Sequence, residues 1–489
     1  MPWPFLLALI LAFGLDDVAG SPPLPRSVAL IRFGWFAGAF GTLVLVAWLV
    51  GSCVAARIDR GRLEPRLVRW FHRIALGLDW LALAVFAWGI FVLGWPRIVG
   101  TNLRLRSSIL IDDLTTLLPY VLCQVAVWAA LSPAEARLRF PHLTGGESRH
   151  LWLRLRQALG LALPILLLYG LGRDCARRWA AELAQDPVVQ VIALMVMAAM
   201  ILLLAPAFVR IALPTRPLPR GLLRDRLEAL GRRFGFKCSD ILVWDTGGTI
   251  VNAGVTGALP GFRYVLLSDA LIERLGPTGI EAVYGHELGH VVHKHLAFFG
   301  LFFLGSIGLI SVLDGLVQSF LDGMGWQEPF WGDSDLGIVA GWLGAVVVLG
   351  AYFVLVFGFL SRRFERQADV FGCRAVSCDR PDCPPHLDPN SLPASPPAQA
   401  TLCPVGIRSF AEALATVAAL NGLSFHAPSW RHGSIAKRIA FLERLAKEPR
   451  ELTRFQAHIR RLRVALALAL VLATVVAVVA SQTMLPLPK

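Results

Sequence analysis

His286-Glu287-Leu288-Gly289-His290 has the pattern H-E-x-x-H. On an α-helix, positions four apart lie one above the other on a single face, so the two imidazoles can hold one Zn²⁺ between them. Glu287 lies a residue further round, within reach of a water on that metal, where a carboxylate serves as general base. The lead-in Ile280-Glu281-Ala282-Val283-Tyr284-Gly285 has helical character, and Gly289 lets another backbone approach closely. The plainer reading is a helix face with two solvated histidines. A third ligand elsewhere in the chain separates the two.

Composition sets the surroundings. The chain has 489 residues, 55% of them hydrophobic and 17% charged, with a mean hydropathy of +0.59. Soluble domains carry about 45–50% apolar and about 25% charged residues, so these values mark a membrane protein. A net charge of +13 from 47 Lys and Arg would suggest nucleic acid in a soluble chain. Here the arginines sit mainly in loops between apolar runs, where they set orientation, and no nucleic-acid partner is expected. Eight cysteines are too scattered for a secreted disulfide framework.

Apolar runs near the length that crosses a bilayer fall at about 34–56, 74–95, 110–131, 155–172, 188–213, 296–318, 337–360 and 463–481. Before them, the apolar stretch Pro4–Gly14 lacks a basic lead, which leaves a cleaved signal, a short span and an interfacial segment open. Arginine-rich loops, such as 57–73, alternate with poorer ones, and loop 319–335 has no Lys or Arg. By the positive-inside rule, the H-E-x-x-H segment faces the cytoplasm.

Five parts result: a membrane region at 1–213, a cytoplasmic segment with the motif at 214–295, and a transmembrane hairpin at 296–360. A second cytoplasmic segment at 361–462 and a last span at 463–489 complete the chain. Within 214–295, the leucines of 222–230 predict an amphipathic helix ending at Gly231, and Ile241-Leu242-Val243-Trp244 and Tyr264-Val265-Leu266-Leu267 read as strands. Ser268 and Asp269 are equal candidates for capping the helix that follows.

Leu313-Asp314-Gly315 resembles a ligand motif of intramembrane site-2 proteases, but Asp314 lies 24 residues beyond His290 along an apolar run. That is roughly 36 Å of helix, too far to share an ion. The hairpin instead returns the chain to its starting face and delivers Ser361-Arg362-Arg363-Phe364-Glu365-Arg366-Gln367-Ala368-Asp369. Glu365 and Asp369 share one helix face. Glu365 would complete a His₂Glu set with His286 and His290, and Asp369 would fix the tautomer of a ligand histidine, as in gluzincin sites.

H-E-L-G-H followed by His295, two apolar spans, and then S-R-x-x-E-x-x-A-D resembles the membrane zinc metallopeptidases of the HtpX and type I CAAX prenyl protease family, over roughly 214–445. The resemblance includes Val251-Asn252-Ala253-Gly254 with Gly257, similar to the family's N-A-x-x-x-G stretch. It also includes Trp430-Arg431-His432-Gly433-Ser434 with Arg438-Ile439, similar to H-P-S-x-x-x-R-I, where Gly433 replaces the proline. It implies one Zn²⁺ per chain and puts His432 near the site as an oxyanion donor, with Arg438 in a structural ion pair. The expected fold class is mainly α: a polytopic α-helical membrane protein with a cytoplasmic gluzincin-type α+β zinc peptidase domain.

The expected activity is endoproteolysis by a zinc-activated water with Glu287 as base, in maturation or quality control of membrane proteins in a bacterial inner membrane. Substrates would be peptides or membrane proteins in or beside the lipid bilayer. Thr249-Ile250-Val251-Asn252-Ala253 reads as an edge strand whose Asn252 and Ala253 main chain would pair with substrate. His295 is expected as a buried group behind the ligands and His293 at the surface. Cys373, Cys378, Cys383 and Cys403 with His386 lack zinc-knuckle spacing and read as a loop with free thiols. The alternative is a non-catalytic membrane scaffold that keeps zinc for stability, or a transporter-like protein. A full set of ligands, base and Asp369 favours the enzyme.

Overall fold

The computed structural model describes residues 3–14, 22–61, 65–105, 110–139, 146–179, 187–248, 250–324, 344, 347–378 and 402–483. Two compact units emerge, one built chiefly from Met1–Asp186 and the other chiefly from residues after it. Four of the described helices are long and apolar enough to cross a membrane: Arg26–Asp59, Arg66–Phe91, Ile111–Leu138 and Val347–Ala375. The chain is a polytopic α-helical membrane protein with a small mixed sheet.

In the first unit, Phe36, Phe71, Phe86, Tyr120 and Leu131 form the centre of an apolar core. The N-terminal stretch is helical over Trp3–Gly14, and Phe5, Ala8 and Leu9 pack into that core. A polar cluster crosses it. Asp79 accepts from Gln124 at 2.5 Å and from Trp128 Nε1 at 3.1 Å, while Arg154 pairs with Glu135 at 2.9 Å. Polar groups buried among membrane helices need such mutual satisfaction, because lipid supplies no partner. The expected span at 155–172 lies inside the longer helix Gly146–Trp179.

The second unit holds the sheet. β1 (Thr215–Pro217), β2 (Asp240–Trp244), β3 (Ala253–Thr256) and β4 (Tyr264–Ser268) are ordered β1-β2-β4-β3. β2 and β4 run parallel, and β1 and β3 flank them antiparallel. The near-continuous apolar runs of β2 and β4 suit inner strands covered on both faces. Two expectations shift. The helix over Leu222–Arg233 runs past Gly231, whose carbonyl accepts from the Phe234 and Phe236 amides in the closing turn. The edge strand is Ala253–Thr256 rather than 249–253, and Thr249 lies outside the described residues. Ser268 is the cap: its hydroxyl accepts from Leu271 N at 3.1 Å, while Asp269 takes up Thr246 and Gly248.

The motif helix, Pro277–Val292, opens with proline in its first turn, where the missing N–H costs nothing. It crosses the helix Gly358–Ala375 at very short range. A Cβ on Gly289 would lie 2.9 Å from Phe371 Cβ and 3.1 Å from Ala368 Cα, and one on Gly285 would collide with Ala375 Cβ. Glycine at these two positions is what allows the approach.

Behind the motif helix, Arg226 and Glu281 form a buried ion pair at 2.6 Å, each about 4% exposed. Removing one partner of a buried ion pair is strongly destabilising, so Glu281→Ala is expected to destabilise this unit by about 3–5 kcal/mol. Loss of under about 1 kcal/mol in denaturant unfolding of detergent-solubilised protein would show that water reaches the pair.

The apolar stretches expected to form the hairpin are helical over His295–Gly323 and Val347–Ala375, while 325–343, 345 and 346 lie outside the described residues. The expected boundary at 463 falls within a single helix that runs from Pro449 to Thr483.

Candidate metal centre

The close helix crossing brings three donors together. His286 Nε2 and His290 Nε2 are 3.2 Å apart, and Glu365 oxygens lie 3.7 Å from each. These atoms all fall within 4.8 Å of one another. Donors bound tetrahedrally at about 2.0–2.1 Å sit about 3.3 Å apart, so the set has the size of a zinc site. The helix His295–Gly323 carries Asp314 away from it in an unbroken run.

Charge favours a cation here as well. Glu287, Glu365 and Asp369 all face the Arg438 guanidinium. Arg438 donates to both oxygens of Asp369, at 2.5 and 2.8 Å, and stands 3.6 Å from Glu365. Carboxylates gathered in a buried site are costly, and a divalent ion offsets their charge. His286 Nδ1 lies 3.0 Å from Asp369 Oδ1. Burial opposes protonation of His286, but its hydrogen bond to Asp369 and the charges of Asp369, Glu365 and Glu287 outweigh it, and its pKa stands above the ordinary value. His290 is pushed the other way, down to about 4, chiefly by burial. It is therefore held as the neutral imidazole that binds metals. The residues fit a divalent metal.

Glu287 projects beside the donors. Burial, reinforced by the charge of Glu365, raises its pKa, while His286, His432 and the Val255 amide oppose the rise. A carboxylate with raised proton affinity is better matched to accept a proton near neutral pH.

His432 is half-exposed, and its Nδ1 lies 3.0 Å from Glu365 Oε2. Its loop is held by Ser429 Oγ, which accepts from His432 N at 3.2 Å, and by Ser434, which caps the helix Ile435–Lys447. Gly433 has φ +76°, a left-handed conformation that proline, fixed near −65°, cannot adopt. The glycine-for-proline departure thus goes with a different loop backbone. His295 is fully buried, stacked on Phe364 at 4.4 Å, with Nδ1 3.0 Å from His290 Nδ1. His293 is not a plain surface group: it packs edge-on against Phe371, and burial pushes its pKa down to about 4.

β3 is an edge of the sheet, and its register corrects the expected substrate-pairing residues. The Asn252 carbonyl accepts from Ser268 N at 2.9 Å, and the Asn252 amide donates to Ser268 Oγ at 3.0 Å. Both main-chain groups of Asn252 are committed to β4. Outward groups alternate along an antiparallel pair, so Ala253 and Val255 face the free edge. Val255 was legible only as the position two beyond Ala253. Its amide faces the Glu287 carboxylate, which sets the edge beside the base. Upstream, the Asn421 side chain takes both main-chain groups of Val251, at 3.1 and 2.7 Å. No local sequence signal marks Asn421.

Of the four cysteines Cys373, Cys378, Cys383 and Cys403, Cys373 and Cys403 are buried, and Cys403 Sγ accepts from Gly406 N at 3.1 Å as a helix cap. Cys383 and His386 lie outside the described residues.

Fold and site together define a class: a membrane protein of several spans with a metallopeptidase-type His, His, Glu centre. Residues 217–384 match the model of Peptidase family M48, a stretch that holds the H-E-L-G-H and S-R-x-x-E-x-x-A-D elements. A Protease HtpX homolog of Moorella thermoacetica is 30% identical over 210 residues, covering 41% of this chain and 64% of that protein. Protease HtpX of Pseudomonas aeruginosa is 27% identical over 161 residues, covering 31% and 50%. The chain therefore spans between half and two thirds of these relatives. The crystal structure of S. mikatae Ste24p is 18% identical, with a TM-score of 0.48 over 86% of this chain and 100% of that one.

Proposed function

We propose that this protein is an integral-membrane zinc endopeptidase, with His286, His290 and Glu365 as the metal ligands and Glu287 as the general base. The observation that carries the reading is the convergence of three donor atoms within 4.8 Å beside Glu287 and the free edge of β3.

Zinc held by these three residues would polarise the scissile carbonyl and lower the pKa of water to about 7. Glu287 accepts the proton of the attacking water and returns it to the leaving amine. Asp369 holds His286 with its Nε2 toward the metal, and Arg438 holds Asp369. His432 donates from Nδ1 to Glu365, so a role for its other nitrogen as donor to the developing oxyanion requires the imidazolium form, in which both nitrogens carry hydrogen. Ala253 and Val255 pair with an extended substrate by strand addition, which reads backbone more than side chains. Substrate entry would displace the Val255 amide from Glu287.

The Glu365 helix is the end of the apolar helix Val347–Ala375, and the motif helix is followed after a two-residue turn by the apolar helix His295–Gly323, which supports membrane proteins as substrates, for their maturation or quality control. The alternation of arginine-rich loops supports a site on the cytoplasmic side, as in a bacterial inner membrane.

The test is digestion of an unfolded casein-like polypeptide by protein purified in detergent. Internal cuts at varied sequences are expected, and absence of fragments would overturn the reading. In the same assay, Ala253→Pro removes an outward amide without breaking the β4 ladder. It should raise KM by about tenfold or more with zinc content unchanged. Normal KM would remove this edge from substrate binding.

A further inference from the structure

His286 and His290 are oriented by different means. His286 has a carboxylate, Asp369, behind it. His290 has instead a chain of neutral groups that ends on a cation. His290 Nδ1 lies 3.0 Å from His295 Nδ1, and His295 Nε2 lies 3.0 Å from Gln367 Oε1. That oxygen also accepts from Arg463 at 2.7 Å, and Gln367 Nε2 donates to Gln456 at 2.6 Å. His295 and Gln367 are 0% and 3% exposed, so water does not compete for these bonds.

Donor and acceptor roles along this chain follow from one end. A guanidinium has five N–H donors and no acceptor, so the Gln367 atom facing Arg463 is its carbonyl oxygen. An oxygen cannot donate to His295, so His295 Nε2 carries the hydrogen. A neutral imidazole has only one, which leaves His295 Nδ1 bare. A bare Nδ1 can only accept, so His290 Nδ1 carries a hydrogen and His290 Nε2 does not. That Nε2 is the atom in the donor set.

We propose that Arg463, acting through Gln367 and His295, fixes His290 in the tautomer whose Nε2 lone pair faces the metal. The C-terminal helix Pro449–Thr483 is then a positioning element of the metal centre. The inference rests on the metal-site reading above. Arg463 also covers the rings of Phe298 and Phe364, at 4.8 and 5.4 Å, so a packing role must be separated from a directional one.

Chelator competition on full-length protein in detergent measures zinc affinity without reference to activity. Arg463→Gln replaces a pure donor by an amide that can present either atom, which frees Gln367 and His295 to reverse. Zinc affinity should fall about 10–100-fold, the usual cost of losing a partner behind a ligand. Arg463→Lys remains a pure donor and should stay within about threefold of wild type. His295→Phe keeps the stack on Phe364, removes both nitrogens, and should fall as far as Arg463→Gln. Wild-type affinity in Arg463→Gln overturns the proposal. Equal weakening in the Gln and Lys variants also overturns it, by assigning Arg463 to ring packing. Zinc retained in a parallel Glu365→Ala sample instead overturns the metal-site reading itself, and the relay with it.

Discussion

Glu287→Gln is expected to abolish peptide hydrolysis while zinc stays at the wild-type level. The amide matches the carboxylate in shape but cannot accept the proton of the attacking water. General acid–base catalysis is worth about 10²–10⁴ in rate, and Glu287 serves both proton transfers. Glu287 is outside the donor set of His286, His290 and Glu365, so the metal should not leave with the base. Burial and the charge of Glu365 already disfavour its ionised form, so neutralising it relieves the site rather than straining it. Cleavage at an undiminished rate would remove Glu287 from the mechanism, and a non-catalytic zinc scaffold would become the better account.

Glu365→Ala is expected to have the largest effect on metal. It removes one of three donors and a charge that helps balance a divalent ion. Its cost in zinc affinity should exceed the about 100-fold ceiling for groups that act from behind a ligand. Asp314→Ala is the control, because the unbroken helix His295–Gly323 carries that position away from the donors. Equal zinc retention in the two variants would sink the third-ligand assignment.

The parts of this arrangement that are periodic in sequence were legible. H-E-x-x-H and the Glu365, Asp369 pair each follow the helix repeat, and the expectation that the apolar runs between them form a hairpin brought the two together. The inner strands announced themselves as short apolar runs bounded by turns. Register was harder. Asn252 looks like a substrate-pairing residue until Ser268 takes both of its main-chain groups, and only the pairing with β4 turns Ala253 and Val255 outward. Groups that act across long separations carried no signal. Arg463 meets Gln367 across 96 residues and Asn421 meets Val251 across 170, with no local pattern at either end. The boundary at 463 lies inside a helix that begins at Pro449, because apolar content rises only partway along it.

The most direct test of a zinc-dependent peptidase is proteolysis by one purified preparation, measured before metal removal, after it, and after one equivalent of Zn²⁺ is returned. The account predicts cleavage, then none, then recovery, with Glu287→Gln inactive throughout. Cleavage that persists after complete removal of metal would contradict it.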